Sequence, residues 1–397
     1  MKRILFLLLL ALFFPSHRLN SQGTAPVDVY LLTCGPGTEI YSIYGHSALR
    51  VVNPADDMDI VYNWGVFDFS TSFFAWKFAR GNLNYMLGAY SYDSFLEEYK
   101  SEKRWVVSQK INLQPADIST LFSLIAENLK PQNITYRYDF YYDNCSTRIR
   151  DLLEKTLGDA LVYPPAMPRV KERSFRALAG DYERWYPWLK FGIDIMIGSP
   201  GDKKASFREQ MFLPIELKNG LSKLTIQRGG QITPLLKNPV TIVDFPSPVL
   251  KEKFISSPFF LFTLLLVLLI ILAGTLRGRK FNRLLDIFLF AVYSLLALMM
   301  IFANFFSLHN ELKWNLNIIW LNPFILICLL SLILNRDWQV WFRVTFFLAA
   351  GFLAVAAILP QHVNNAFVPL IIILMLRSSV RSGFSWNPLN LPYLTEI

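Results

Sequence analysis

The chain has 397 residues, a net charge of +9, and 53% hydrophobic against 17% charged residues. A composition this apolar, with the excess concentrated toward the C-terminus, excludes a single soluble domain. The basic residues gather in short loops between apolar runs, which points to membrane anchoring and an anionic surface and excludes nucleic-acid binding as their purpose.

Lys2 and Arg3 precede an unbroken apolar run over residues 4–14, followed by polar residues. This is the pattern of a secretory signal peptide, assigned to residues 1–22 and too short for a comfortable span. Residues 23–235 mix charge, apolar stretches and turns in the manner of an extracytoplasmic globular domain with its own core. Early in it, Thr33-Cys34-Gly35-Pro36-Gly37 reads as a loop. Gly45-His46-Ser47 opens a strand over 47–52, with Asn53 to Asp57 as the turn and 60–64 as the returning strand. Pairing across that turn brings residues near 63–65 opposite His46. Asn63 is therefore the candidate to orient the imidazole, as a third group does in thiol and serine enzymes, with Asp68 as the alternative past the expected register. A histidine satisfied within a sheet is the competing reading.

Asn144-Cys145-Ser146 opens a helix predicted to run to Leu157, with Ile149, Leu152, Leu153 and Leu157 on one apolar face. Asp143 or Asn144 caps it and Gly158 stops it. Cys145 then lies in the first turn, where exposed N–H groups and the helix dipole favour a thiolate and suit an oxyanion. Arg148 adds a nearby positive charge and is a candidate substrate contact. The alternative is a small buried cysteine that only packs. Outside the cytoplasm a Cys34–Cys145 disulfide is a further alternative, and it would remove the nucleophile.

The aromatic stretch 185–197 reads as core or as a segment dipping into the outer leaflet. Pro234, Pro239, Pro246 and Pro248 mark a linker over residues 236–256. Five apolar segments follow within 257–380, at roughly 258–276, 284–306, 316–334, 340–359 and 366–376, and a tail covers 381–397. Arg277, Arg279, Lys280, Arg283, Arg336, Arg343, Arg377 and Arg381 all fall in one set of alternate loops, whereas the opposite set holds only Lys313. The positive-inside rule puts the first set in the cytoplasm and the globular domain, His309 and His362 outside. The outer loops carry His309, Glu311, Asn315, Asn317, Asn322, Asn364 and Asn365. They read as a polar floor recognising lipid head groups or an amine, with His309, Asn315 and Asn317 as candidate substrate contacts, or as interfacial capping within an aromatic belt. No Gly-rich phosphate loop or metal-ligand spacing occurs, so no cofactor or metal is expected.

Thr33-Cys34, then Gly45-His46-Ser47-Ala48-Leu49-Arg50, Tyr62-Asn63-Trp64-Gly65 and Asp143-Asn144-Cys145-Ser146-Thr147-Arg148, in this order, resemble the Lnb family of bacterial lipoprotein N-acyltransferases. The likeness extends over the soluble domain and into the helical tail, including the 309–323 loop. The family is similar to permuted papain-like thiol enzymes of the NlpC superfamily. The resemblance implies an α+β papain-like (permuted NlpC-type) extracytoplasmic domain followed by an all-α polytopic transmembrane domain. It places the chain in the bacterial inner membrane with the catalytic domain in the periplasm. It further implies Cys145 as nucleophile, His46 as base, a membrane phospholipid as acyl donor and bacterial lipoproteins as acceptors. The rivals are a membrane-anchored NlpC-like cell-wall thiol hydrolase or peptidase, and a non-catalytic membrane sensor or assembly factor.

Overall fold

A computed structural model describes residues 26–164, 172–248, 253–275 and 278–384. The expected signal peptide, residues 1–22, and positions 385–397 of the expected tail lie outside the described residues. The strands are β1 (Asp28–Cys34), β2 (His46–Asn53), β3 (Met58–Val66), β4 (Asn84–Ser91), β5 (Val106–Lys110), β6 (Thr135–Arg137), β7 (Leu161–Val162), β8 (Thr225–Arg228), β9 (Gln231–Pro234) and β10 (Val240–Val243). Seven of them form one antiparallel sheet in the order β10-β5-β1-β2-β3-β4-β6, and β7-β8-β9 form a second.

Strand alternation sorts the core onto two faces. Leu31, Leu49 and Val51 face one side, where they pack with Ile149 and Leu153 of the Cys145–Leu157 helix and Leu121 and Ile125 of the Pro115–Leu129 helix. Leu32, Ala48 and Val61 face the other, against Phe95 and Tyr99 of the Tyr92–Ser101 helix. Burying each large aliphatic side chain contributes about 1.5–3 kcal/mol, so both layers hold the central strands firmly.

The stretch expected to be a linker differs in one respect. Val240–Val243 joins β5 as an edge strand of the main sheet. Its residues Val-Thr-Ile-Val suit a strand, and the prolines flank this run without interrupting it.

Five apolar helices follow among the described residues: Pro258–Thr275, Arg279–Ile301, Phe324–Ile333, Gln339–Val355 and Phe367–Arg381. The second continues through a π-turn, Phe302–Phe306. Lys280–Phe306 and Gln339–Ile358 are each long and apolar enough to cross a membrane. The third segment, expected over 316–334, becomes regular helix only at Phe324, after Pro323. At 1.5 Å per residue this helix spans about 15 Å, half of a typical hydrocarbon core. The residues before it, with Asn315, Asn317 and Asn322 all buried, fold instead as short 3₁₀ turns. The fifth helix runs past its expected end because buried Arg377 meets buried Asp286 at 2.5 Å.

The two halves are fastened together. The Pro187–Met196 helix, from the aromatic stretch, packs Phe191 on Phe262 and Phe367 of the membrane helices. Its last carbonyls, Ile195 and Met196, accept from Asn315 Nδ2 at 2.9 and 2.8 Å, and Asn317 Nδ2 also donates to Ile195 at 3.1 Å. Asn364 Nδ2 donates to Asp194 Oδ2 at 2.7 Å. The Gly198 N–H donates to the Glu311 carbonyl at 2.8 Å. A Cβ on Gly198 would lie 1.9 Å from the Lys313 carbonyl oxygen, so only glycine permits this approach.

Candidate active site

His46 is the first residue of β2, and the chain reaches it through Gly45 at φ +80°, a left-handed conformation in which a Cβ would lie 2.6 Å from the Cys34 carbonyl oxygen. The glycine of the Gly-His-Ser triplet is thus a steric requirement for the strand entry. Across the hairpin Leu49 pairs with Tyr62, and the same register sets Asn63 opposite Ala48, one same-face position along from His46. His46 Nε2–H donates to Asn63 Oδ1 at 3.0 Å. Asp68, the alternative partner, instead accepts from the Ser70 N–H and hydroxyl at 2.9 and 2.7 Å.

Cys145 is the first residue of its helix, with Asn144 as N-cap. Asn144 Oδ1 accepts from the Ser146 and Thr147 N–H groups, both at 2.9 Å, and its Nδ2 donates to the Phe140 and Phe212 carbonyls at 2.7 and 2.9 Å. Every hydrogen-bonding position of this amide is used, which fixes the helix start. It also corrects one expectation: the second and third amides of the helix already serve the cap. The Cys145 N–H is the first-turn amide that the cap leaves for an oxyanion.

The β2 strand and the Cys145 helix meet at their starts. The Ser47 and Ser146 hydroxyls are 3.1 Å apart, both fully buried. Beside them the Cys145 thiol and the His46 imidazole lie close enough for each to shift the other's ionisation. Burial alone would push the Cys145 thiol up. The His46 charge and hydrogen bond, the Ser47 N–H and the Ser146 hydroxyl outweigh it and hold the thiol below its ordinary value. Burial alone would lower the His46 pKa. The Cys145 thiolate and the hydrogen bonds to Cys145 and Asn63 outweigh it and raise the ring above its ordinary value. The two shifts run toward each other, the direction that favours a thiolate–imidazolium pair.

Cys34 lies directly opposite His46 in the β1–β2 ladder but is a free thiol, as is Cys145. It is fully buried, and burial pushes its thiol up to about 12, the opposite of an activated cysteine. Arg148 does not extend toward the thiol: it forms a bidentate pair with Asp143, with Nη2 2.8 Å from Oδ2, and lies 3.7 Å over the Tyr136 ring.

The other three expected substrate contacts are elsewhere. Asn315 and Asn317 are buried with their amides committed to the backbone of the Pro187–Met196 helix. His309 Nε2 bonds the Phe78 carbonyl at 2.8 Å, and its Nδ1 is 3.3 Å from Glu311 Oε1. These groups join the two domains. Their partners in the periplasmic domain are more than a hundred residues away in the chain, which is why composition alone suggested a lipid-binding floor.

Sequence reasoning missed Tyr136. Its hydroxyl is buried without a hydrogen-bond partner among the described residues. Burial first, and then the nearby Cys145 thiolate, raise its pKa. The alternation of Tyr136 and Tyr138 just upstream of the cysteine motif was the available signal. A cleft of about 310 Å³ is lined by His46, Asn63, Tyr41, Phe67, Phe69 and Glu98, among others.

Two family models match the chain, the Lnb N-terminal periplasmic domain over residues 14–170 and the Lnb transmembrane domain over residues 250–385. Searches of curated proteins and of solved structures find no match. The pair of domain matches, with the apolar helices, makes this a membrane protein with an N-terminal periplasmic domain.

Proposed function

The chain belongs to the Lnb family, and from that premise we propose that it is a Cys145-dependent lipoprotein N-acyltransferase of the bacterial inner membrane. The observation that carries this reading is the Cys145–His46–Asn63 constellation at the meeting of a strand start and a helix start. A nucleophile on a helix, a base on the adjoining antiparallel sheet and an amide orienting that base favour a permuted papain-like arrangement.

In this mechanism the Cys145 thiolate attacks the carbonyl carbon of a phospholipid ester. The Cys145 N–H donates to the developing oxyanion, and the Tyr136 hydroxyl is the candidate second donor. The C–O bond breaks, the lysophospholipid oxygen takes the proton from the His46 imidazolium, and the acyl chain remains as a thioester. The α-amine of a diacylglyceryl-cysteine lipoprotein then attacks the thioester carbonyl. Neutral His46 accepts the amine proton, and the amide forms as the Cys145 thiolate departs. Asn63 holds the ring so that its other nitrogen faces the sulfur in both halves.

Intact-mass measurement of the full chain in phospholipid vesicles tests the first half. Wild type gains one acyl chain that hydroxylamine removes, and a diacylglyceryl-cysteine lipopeptide discharges it as an N-acyl product. Cys145→Ser should lose thioester and product while keeping its melting behaviour. Retained transfer would sink the mechanism, and release of the chain only to water would favour the thiol-hydrolase reading.

A further inference from the structure

Residues 67–78 display several large aromatic side chains that the reaction chemistry does not explain. Phe69, Phe73, Trp76 and Phe78 are 65%, 81%, 54% and 51% exposed. Phe73 takes φ 57°, a left-handed conformation that a bulky side chain rarely adopts, at the start of the Phe74–Arg80 helix. Backbone strain that turns a phenylalanine outward calls for something outside to receive it.

The position of this segment identifies what that is. The carbonyls just after it are tied to the outer end of the second membrane helix: Arg80 accepts from the Leu308 N–H at 2.7 Å, and Ala79 from the Ser307 hydroxyl at 3.1 Å. Trp76 meets Phe302, on the terminal π-turn of that helix, with ring centroids 5.4 Å apart. The segment therefore sits where the membrane helix leaves the hydrocarbon, and Lys77 and Arg80 lie on the same short helix. Aromatic rings with basic residues at that depth suit the interface of an anionic leaflet. From there a row of rings leads inward. Phe78 and Phe74 are 6.2 Å apart, Phe74 and Phe69 5.1 Å, and Phe69 and Tyr41 6.4 Å. Tyr41 and Phe69 line the cleft beside His46 and Asn63.

We propose that residues 67–78 form a lipid ramp: the segment sits in the outer leaflet and holds the acyl chain of a membrane lipid along its rings, leading to the cleft beside His46. The proposal deepens the acyl-transfer reading and rests on it for what happens at the end of the ramp.

The test uses the full chain in vesicles of phosphatidylethanolamine and phosphatidylglycerol, in a Cys145→Ser background so that no chemistry is needed. A spin label on Phe73→Cys should relax with lipid-soluble oxygen in preference to a water-soluble nickel chelate. A label on Asp56→Cys, in the turn at the far end of the β2–β3 hairpin, should show the reverse. A phospholipid with a diazirine in its acyl chain should cross-link to peptides covering 67–78. Phe69→Asp with Phe73→Asp should lose those cross-links, and Phe69→Leu with Phe73→Leu should keep them. A water-exposed label at 73, or cross-links confined to the membrane helices, overturns the ramp. Absence of a thioester on the wild-type chain would instead remove the acyl-transfer reading, and the label and cross-links would still judge the ramp.

Discussion

His46 and Cys145 each sit where burial pushes the pKa one way and a partner pushes it further the other way. In the proposed reaction the thiol must lose a proton and the imidazole must hold one, so acylation should follow a bell whose limbs belong to the pair. Asn63→Ala removes one of the influences that raise His46. The imidazolium is then lost at lower pH, and the alkaline limb of the acylation profile should move toward neutrality. The rate should also fall roughly tenfold, as expected for one hydrogen bond to a charged group. An alkaline limb that stays in place would remove Asn63 from this role. Tyr136→Phe deletes the unpaired hydroxyl and little else, so single-turnover acylation should slow by about 10–100-fold with melting unchanged. At this scale the closeness of His46 to Asn63 and the helix-start position of Cys145 were legible, because hairpin register and helix capping are set by neighbours in the chain. The contacts of Arg148, His309, Asn315 and Asn317 were not, because a polar side chain does not announce which group satisfies it.

Among the elements, the Cys145 helix was the easiest to read. Its apolar face, cap and stop all lie within fifteen residues of sequence, and Ile149, Leu152, Leu153 and Leu157 all enter one core cluster. The third membrane segment was harder. Hydropathy averages over a window, and the window spanning 316–334 hides two buried asparagines, Asn317 and Asn322, with a third, Asn315, just before it. The edge strand Val240–Val243 escaped for the opposite reason, since flanking prolines outweighed a four-residue β-branched run. The docking elements carry their own prediction. Gly198→Ala sets a methyl group 1.9 Å from the Lys313 carbonyl, and the seam must open to admit it. The cost should be about 1–3 kcal/mol, localised at the interface. Hydrogen exchange should rise at 194–198 and 311–317 while the β-sheet core stays protected, and unchanged exchange at the seam would contradict this.

For the molecule as a whole, the layout of a sheet-rich periplasmic domain followed by apolar helices was legible from charge asymmetry and hydropathy alone. What neither reveals is how the helical bundle is fastened at its two ends. At one end Asp286, fully buried, accepts from Arg377 at 2.5 Å and from Arg381 at 2.7 Å, tying the second and fifth helices. Asp286→Ala leaves a buried guanidinium without its counter-charge, which should lower stability by about 3–5 kcal/mol. Unfolding in detergent micelles checks this, and a melt equal to wild type would refute it.

At the other end lies the seam between the domains, from Gly198 to Asn364. Many domains joined by a linker swing on it as on a leash. Here the periplasmic head is bolted to its pedestal at several points, which fixes the height of the Cys145 sulfur above the bilayer. In the proposed reaction traffic must then run the other way: each lipid, donor or acceptor, climbs to a stationary thiol.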